Sequence, residues 1–141
     1  MGWTNSHLHQ FVIDGKCCGV PDPEFEKPII DEKKVLLSQL VNLEAAKFTY
    51  EYDFGDNWTH ELLVEKIGPP EPGVRYPVCL TGERACPPED CGGIFAYYEN
   101  LKIIKDPRHP ERDEIVKWMG GDFDPEKFDL EAVNRALRRI R

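Results

Sequence analysis

Between Lys47 and Phe54 the chain alternates without a break: Phe48, Tyr50, Tyr52 and Phe54 fall on one side, Thr49, Glu51 and Asp53 on the other. Strict period-two patterning constrains the fold more than any other feature, because successive side chains of a β-strand point to opposite faces. Trp58 to Ile67 supplies a return strand, so the segment reads as a hairpin. Its connection has two solutions. Gly55-Asp56-Asn57 as a three-residue loop pairs Phe54 with Trp58, whereas Asp56-Asn57 as a two-residue turn pairs Gly55 with Trp58. The first sets Tyr52 against His60, Tyr50 against Leu62 and Phe48 against Val64, gathering apolar side chains on one face. The second places Asp53 opposite His60. The three-residue loop is the expectation.

A second hairpin precedes it. His7 to Ile13 alternates, Asp14-Gly15 is the dipeptide of a type I′ turn, and Lys16 to Val20 returns. Counting outward pairs Ile13 with Lys16, Phe11 with Cys18 and His9 with Val20, so His7, His9, Phe11, Ile13 and Cys18 share a face. Pro21, Pro23 and Pro28 break the chain into an irregular acidic stretch, after which Val35–Leu37 reads as a short strand and Ser38 as the cap of a brief helix through Val41. Gly68 to Gly93 is a long connection rich in proline and glycine, of a length that is usually functional or disordered.

Helical signals then take over. One helix runs from about Ile94 to Lys105 and ends before Pro107, a second starts with Pro110 in its first turn and stops at Gly120-Gly121, and a third is capped by Asp129. In the third, Leu130, Val133, Leu137 and Ile140 fall at helical spacing and are expected to face the core. Strands first and helices second is the α+β pattern, an antiparallel sheet of hairpins packed by about three helices. At 141 residues, against roughly 150 residues per domain, one domain over residues 1–141 is expected.

Composition excludes several classes. Apolar residues at 40% suffice for a core, but the longest apolar run, Ile94 to Tyr98, is far short of the roughly 20 residues of a membrane helix. Acidic residues outnumber basic ones 26 to 18, for a net charge of −8, which disfavours nucleic acid as a partner. The basic end, Arg135, Arg138, Arg139 and Arg141, suits the last turn of a helix without any partner. Five cysteines, an odd number, behind an N-terminus without a signal-peptide pattern point to the reducing cytoplasm. Met1-Gly2 with Ser6 fits the bare myristoylation pattern, but no polybasic second anchor accompanies it.

Two clusters carry candidate chemistry. The first is His7 and His9 with the run Asp53 to Glu61. Histidines on alternate strand positions lie about 7 Å apart with parallel side chains, a spacing from which both reach one ion. Imidazole with carboxylate suits zinc, manganese or iron. His7, His9 and His60 are the candidate ligands, with Asp53 or Glu61 as general base on a bound water. The same histidines also read as hydrogen-bonded residues of a partly buried sheet, and Asp56 and Asn57 as ordinary turn formers. The second cluster, Cys79 to Gly93, holds Cys86 and Cys91 separated by four residues, at the upper end of the window for a zinc pair but with no second close pair. They are candidate extra ligands or a structural clamp, while Trp58, Glu89 and Asp90 are candidate ligand-binding residues. Glu89, Asp90, Gly92 and Gly93 equally make an ordinary helix start. Other templates fail: Asp122 to Lys127 resembles a calcium loop, yet Lys127 sits where glycine is required and Val133 where glutamate is. There is no phosphate loop, dinucleotide fingerprint or nucleophile elbow around Ser6 or Ser38.

Taken together, Ser6-His7-Leu8-His9-Gln10-Phe11, the run Phe48 to Asp56 with Trp58 and His60, the segment Tyr76-Pro77-Val78-Cys79 through Cys86 to Gly93, and Gly121 to Pro125 resemble the plasmid pRiA4b ORF-3-like family over nearly the whole chain. The resemblance implies an α+β domain encoded on plasmids, mobile elements and chromosomes of bacteria and archaea, without an established activity. Some relatives carry a resolvase label, but Ser6 lacks the nearby arginines of a serine resolvase. Relatives usually have an upstream segment of two strands and a helix, and Met1-Gly2-Trp3 resembles the end of that helix. Without that segment a sheet edge and an apolar face would be left open, so the expectation is a fragment, a misplaced start, or a protein partner or second copy of the chain at the edge. Two functional expectations follow: an accessory or interaction domain binding a protein or small ligand, or a metal-dependent hydrolase-like enzyme built on the His/Asp/Glu set.

Overall fold

A computed structural model describes residues 2–22, 28–121 and 123–140. Met1, Pro23 of the acidic stretch, Asp122 of the calcium-like segment and Arg141 of the basic end lie outside the described residues. The chain divides into two compact units, one formed by Asn5–Pro69 and the other by Met1–Thr4 with Pro70–Arg141.

The first unit is a five-stranded sheet: β1 (His9–Ile13), β2 (Lys16–Gly19), β3 (Ile29–Asp31), β4 (Lys47–Tyr52) and β5 (Trp58–Leu63), in the order β3-β2-β1-β4-β5. The β1–β2 register is the expected one, Ile13 opposite Lys16 and Phe11 opposite Cys18. Asp14 and Gly15 both take positive φ, 48° and 73°, the pair of left-handed residues that a type I′ turn requires. Strand β3 is not among the sequence expectations. It is only three residues long and lies parallel to β2, Cys17 opposite Ile29 and Cys18 opposite Ile30. Val35–Leu37, by contrast, forms no strand. Leu36 leads into the one-turn helix α1 (Leu37–Leu40), its N–H donating to Gln39 Oε1 at 2.8 Å, so Ser38 sits inside the helix rather than at its cap.

The β4–β5 register corrects the sequence reading. Tyr52 pairs with Trp58, Tyr50 with His60 and Phe48 with Leu62, leaving residues 53–57 as the connection. Neither connection expected above forms. The cause is local: Asp53 leaves the strand with φ 57°, and its carboxylate accepts from the N–H groups of Gly55 at 3.0 Å and Asp56 at 3.2 Å. A slip of two residues keeps every side chain on its face, so the apolar pattern is equally satisfied and the loop's hydrogen bonds decide.

His9, Phe11, Ile13, Phe48, Tyr50, Tyr52, Trp58, His60 and Leu62 therefore share one face. Its two ends differ. At one, buried Ile13, Val41 and Phe48 pack with Phe11, Leu40, Ala46, Leu62 and Val64 into an apolar core under α1. At the other stand the histidines and tyrosines.

The second unit holds α2 (Gly93–Lys105), α3 (Arg112–Trp118) and α4 (Leu130–Leu137). Helix α2 buries Tyr97 and Leu101, one turn apart. Helix α3 starts two residues after Pro110, which lies in the preceding turn, and Asp129 caps α4 through Ala132 N at 2.8 Å as expected. The core stripe expected on α4 is only half present. Val133 and Leu137 are half-buried, but Leu130 is exposed in the first turn and Ile140 falls beyond the helix, which ends at Leu137. The long proline-rich connection is tied down rather than structured: Asn134 of α4 holds Cys79 by two hydrogen bonds of 2.8 and 2.9 Å, and Arg84 meets Glu126 at 3.2 Å. Sheet in the first half and helices in the second make the protein α+β. Among the described residues no helix is long and apolar enough to cross a membrane.

Candidate functional site

The polar end of the sheet face is built by register. Because His9 stands opposite Tyr52 and Phe11 opposite Tyr50, the His9 ring packs diagonally on Tyr50 with centroids 5.8 Å apart. His60, opposite Tyr50 on β5, packs on its other side at 5.6 Å, and its Nδ1 lies 3.2 Å from the Tyr50 carbonyl oxygen. His9 Nε2 lies 3.0 Å from Glu32 Oε2, both side chains half-buried. Glu32 reaches this position because the turn Glu32–Lys34 follows β3 directly, with Asp31 accepting from Lys33 N to cap it. Two residues before His9, His7 sets its ring edge on Tyr52 at 5.9 Å and brings Nδ1 to 3.8 Å from Asp53 Oδ2. Two imidazole–carboxylate pairs thus stand on alternate residues of one strand direction.

Electrostatics keep the neighbouring groups neutral. Burial first, then Tyr52 and Glu32, pushes the Tyr50 hydroxyl above its ordinary range. Burial, then Glu32 and Asp31, raises the Cys18 thiol. Both stay protonated at neutral pH, so neither is an activated nucleophile beside His9.

The expected three-histidine ligand set does not form. His7, His9 and His60 share a face, but sliding β5 by two residues carries His60 to the Phe11 row, one row of about 7 Å farther from His7 than expected. Among the described residues, neither His9, His60, Cys86 nor Cys91 belongs to any trio of His, Cys, Asp or Glu side chains whose ligand atoms lie within 4.8 Å of one another. Glu61 points away from the histidines, to the opposite face, where it pairs with Lys47 at 2.9 Å, so it is no base for this site. Trp58 is buried in the histidine face rather than offered to a ligand.

Asp53 is buried and occupied with its own loop. Asp53→Ala is expected to cost about 1–2 kcal/mol by releasing two N–H groups from a charged acceptor, while Asp53→Asn, which keeps an acceptor and tolerates positive φ, loses less. Urea denaturation of the two variants checks this; equal losses would deny the carboxylate its looping role. In the second unit Glu89 accepts from Thr4 N at 2.7 Å and Thr4 Oγ1 at 3.0 Å, a structural assignment. Burial raises the Cys86 thiol, and Cys91 is buried just ahead of α2. Glu32 and Tyr50 are the residues that sequence reasoning missed. Tyr50 was hidden by the register, and nothing in the pattern around Glu32 links it to a strand begun more than twenty residues earlier.

The model of the plasmid pRiA4b ORF-3-like protein family matches residues 1–132. The chain belongs to this family. The uncharacterized protein y4hQ of Sinorhizobium fredii is 38% identical over an alignment of 139 residues that covers 97% of this chain and 71% of that protein. The crystal structure of MM3350 from Methanosarcina mazei Go1, a protein of unknown function, is 42% identical, superposes with a TM-score of 0.83, and is matched over 94% of this chain and 75% of its own. The fold is therefore shared with the Methanosarcina mazei protein.

Proposed function

We propose that this pRiA4b ORF-3-like chain is an interaction domain whose histidine-bearing sheet face binds a protein segment carrying basic side chains. The observation that carries this reading is the His9–Glu32 contact of 3.0 Å beside the Tyr50 ring. A half-buried carboxylate on an aromatic floor attracts an ammonium or guanidinium group by charge and by the ring quadrupole together. The net charge of −8 steers the same partner toward it.

Titration with the peptides Gly-Lys-Gly and Gly-Arg-Gly, against Gly-Glu-Gly, tests the proposal. The basic peptides are expected to bind, to weaken as salt rises, and to lose about five-fold or more in affinity in Glu32→Gln. Equal binding of the acidic peptide would sink it. A second reading, a metal-dependent hydrolase-like enzyme, draws on His7 and buried Asp53, 3.8 Å apart. Elemental analysis of the purified chain decides between them, since stoichiometric zinc, manganese or iron lost in His7→Ala favours the enzyme.

A further inference from the structure

The second unit contains a pocket of about 300 Å³ lined by Asp90, Cys91, Asn100, Glu114, Ile115 and Trp118. Its construction follows from the helices. Glu114 and Trp118 are one turn apart on α3 and project from the same side, and Ile115 stands between them. Asn100 comes from the third turn of α2, and Asp90 and Cys91 from the segment that leads into that helix. Cys91 is buried and Ile115 half-buried, whereas the Asp90 and Glu114 carboxylates and the Trp118 indole are exposed.

The chemistry is one-sided. Two carboxylates and an amide accompany an indole, and among the described residues no lysine or arginine lines the pocket. Arg112, on the same helix, is committed elsewhere: its Nε donates to the Ile104 carbonyl at 3.1 Å and its Nη1 meets Asp113 at 3.5 Å. An anion placed here would meet two like charges. A cation would meet both carboxylates and an aromatic face, the combination used for ammonium and guanidinium recognition. The volume stands at the lower end of ligand pockets, too small for a nucleotide and ample for an amine a few carbons long. The indole, Ile115 and Cys91 give apolar surface that a hydrated inorganic ion cannot use.

The geometry points to a binding site for a small organic cation, an alkylamine or alkylguanidine, with Trp118 as the aromatic wall and Asp90 and Glu114 as the counter-charges. The pocket shares no residue with the His9, Glu32 and Tyr50 cluster.

Isothermal titration of the full chain with agmatine and with butylamine tests it, using 1-butanol as the uncharged control. Saturable binding of both cations in the millimolar range or tighter is expected, with none for the alcohol. Glu114→Gln and Trp118→Leu, both at exposed positions and checked by circular dichroism, are each expected to weaken binding by about ten-fold. Glu32→Gln leaves it unchanged, so failure of the basic-peptide experiment does not count against this pocket. No saturable heat, equal binding of the alcohol, or indifference to both variants would each overturn the proposal. Displacement of agmatine by magnesium at equal concentration would also overturn it, by reducing the site to a general acidic patch.

Discussion

Tyr52→Ala is expected to lower the stability of the sheet unit by about 3–5 kcal/mol, the range for truncating a buried aromatic side chain. Tyr52 is 2% exposed and sits on β4, which has β1 on one side and β5 on the other. It pairs with His9 across one ladder and Trp58 across the other, and carries the His7 ring on its edge. Removing the ring opens a cavity between two hairpins that neither can refill without slipping register. Domains of this size are stable by about 5–15 kcal/mol, so the loss is a large part of the total. Urea denaturation with hydrogen exchange at the β4 amides measures it, and Tyr52→Phe, which keeps the ring, is expected to stay within about 1–2 kcal/mol of the parent. If the alanine variant melts with the parent, the sheet's core lies elsewhere.

The same residue shows how much the sequence carried. Alternation from Lys47 onward identified β4 and its inward face, and Asp14-Gly15 fixed the β1–β2 register to the residue, because a type I′ turn admits a single pairing. Alternation could not fix β4 against β5. Slips of zero and two residues bury the same side chains, and the choice fell to the Asp53 carboxylate, a polar contact invisible to apolar patterning.

That ambiguity propagates directly into the candidate site. With Tyr52 opposite His60, the three histidines would sit in adjacent rows; with Tyr50 opposite His60, His9 and His60 flank a tyrosine instead. Glu32 enters through β3, a three-residue strand whose parallel pairing has no turn signal to announce it. The pocket between α2 and α3 was equally hidden. Helix positions were legible, but which sides of Asn100 and Glu114 face each other depends on tertiary packing.

Gly19→Val is expected to cost about 2–3 kcal/mol and to weaken binding at the histidine face, although residue 19 touches no ligand. A Cβ at Gly19 would lie 2.8 Å from the His9 carbonyl oxygen and 3.4 Å from the Cα of Gln10, its partner on β1. Both obstacles are backbone, so no side-chain rotation relieves them. Strand β2 is held between β3 and β1, and relief requires β1 to move away, carrying His9 with it. A shift of even a few tenths of an ångström lengthens the 3.0 Å contact with Glu32 on which basic-peptide binding rests. Gly68→Ala is the matched control, since nothing lies within 4 Å of a Cβ there, and it is expected to change stability by no more than about 0.5 kcal/mol. Urea midpoints for both variants, with Gly-Arg-Gly titrations on the folded fraction, separate the two effects. A Gly19 variant that loses stability yet binds the peptide as the parent does would show that the His9 position is not coupled to the β1–β2 spacing, and that the recognition chemistry must be sought away from β1.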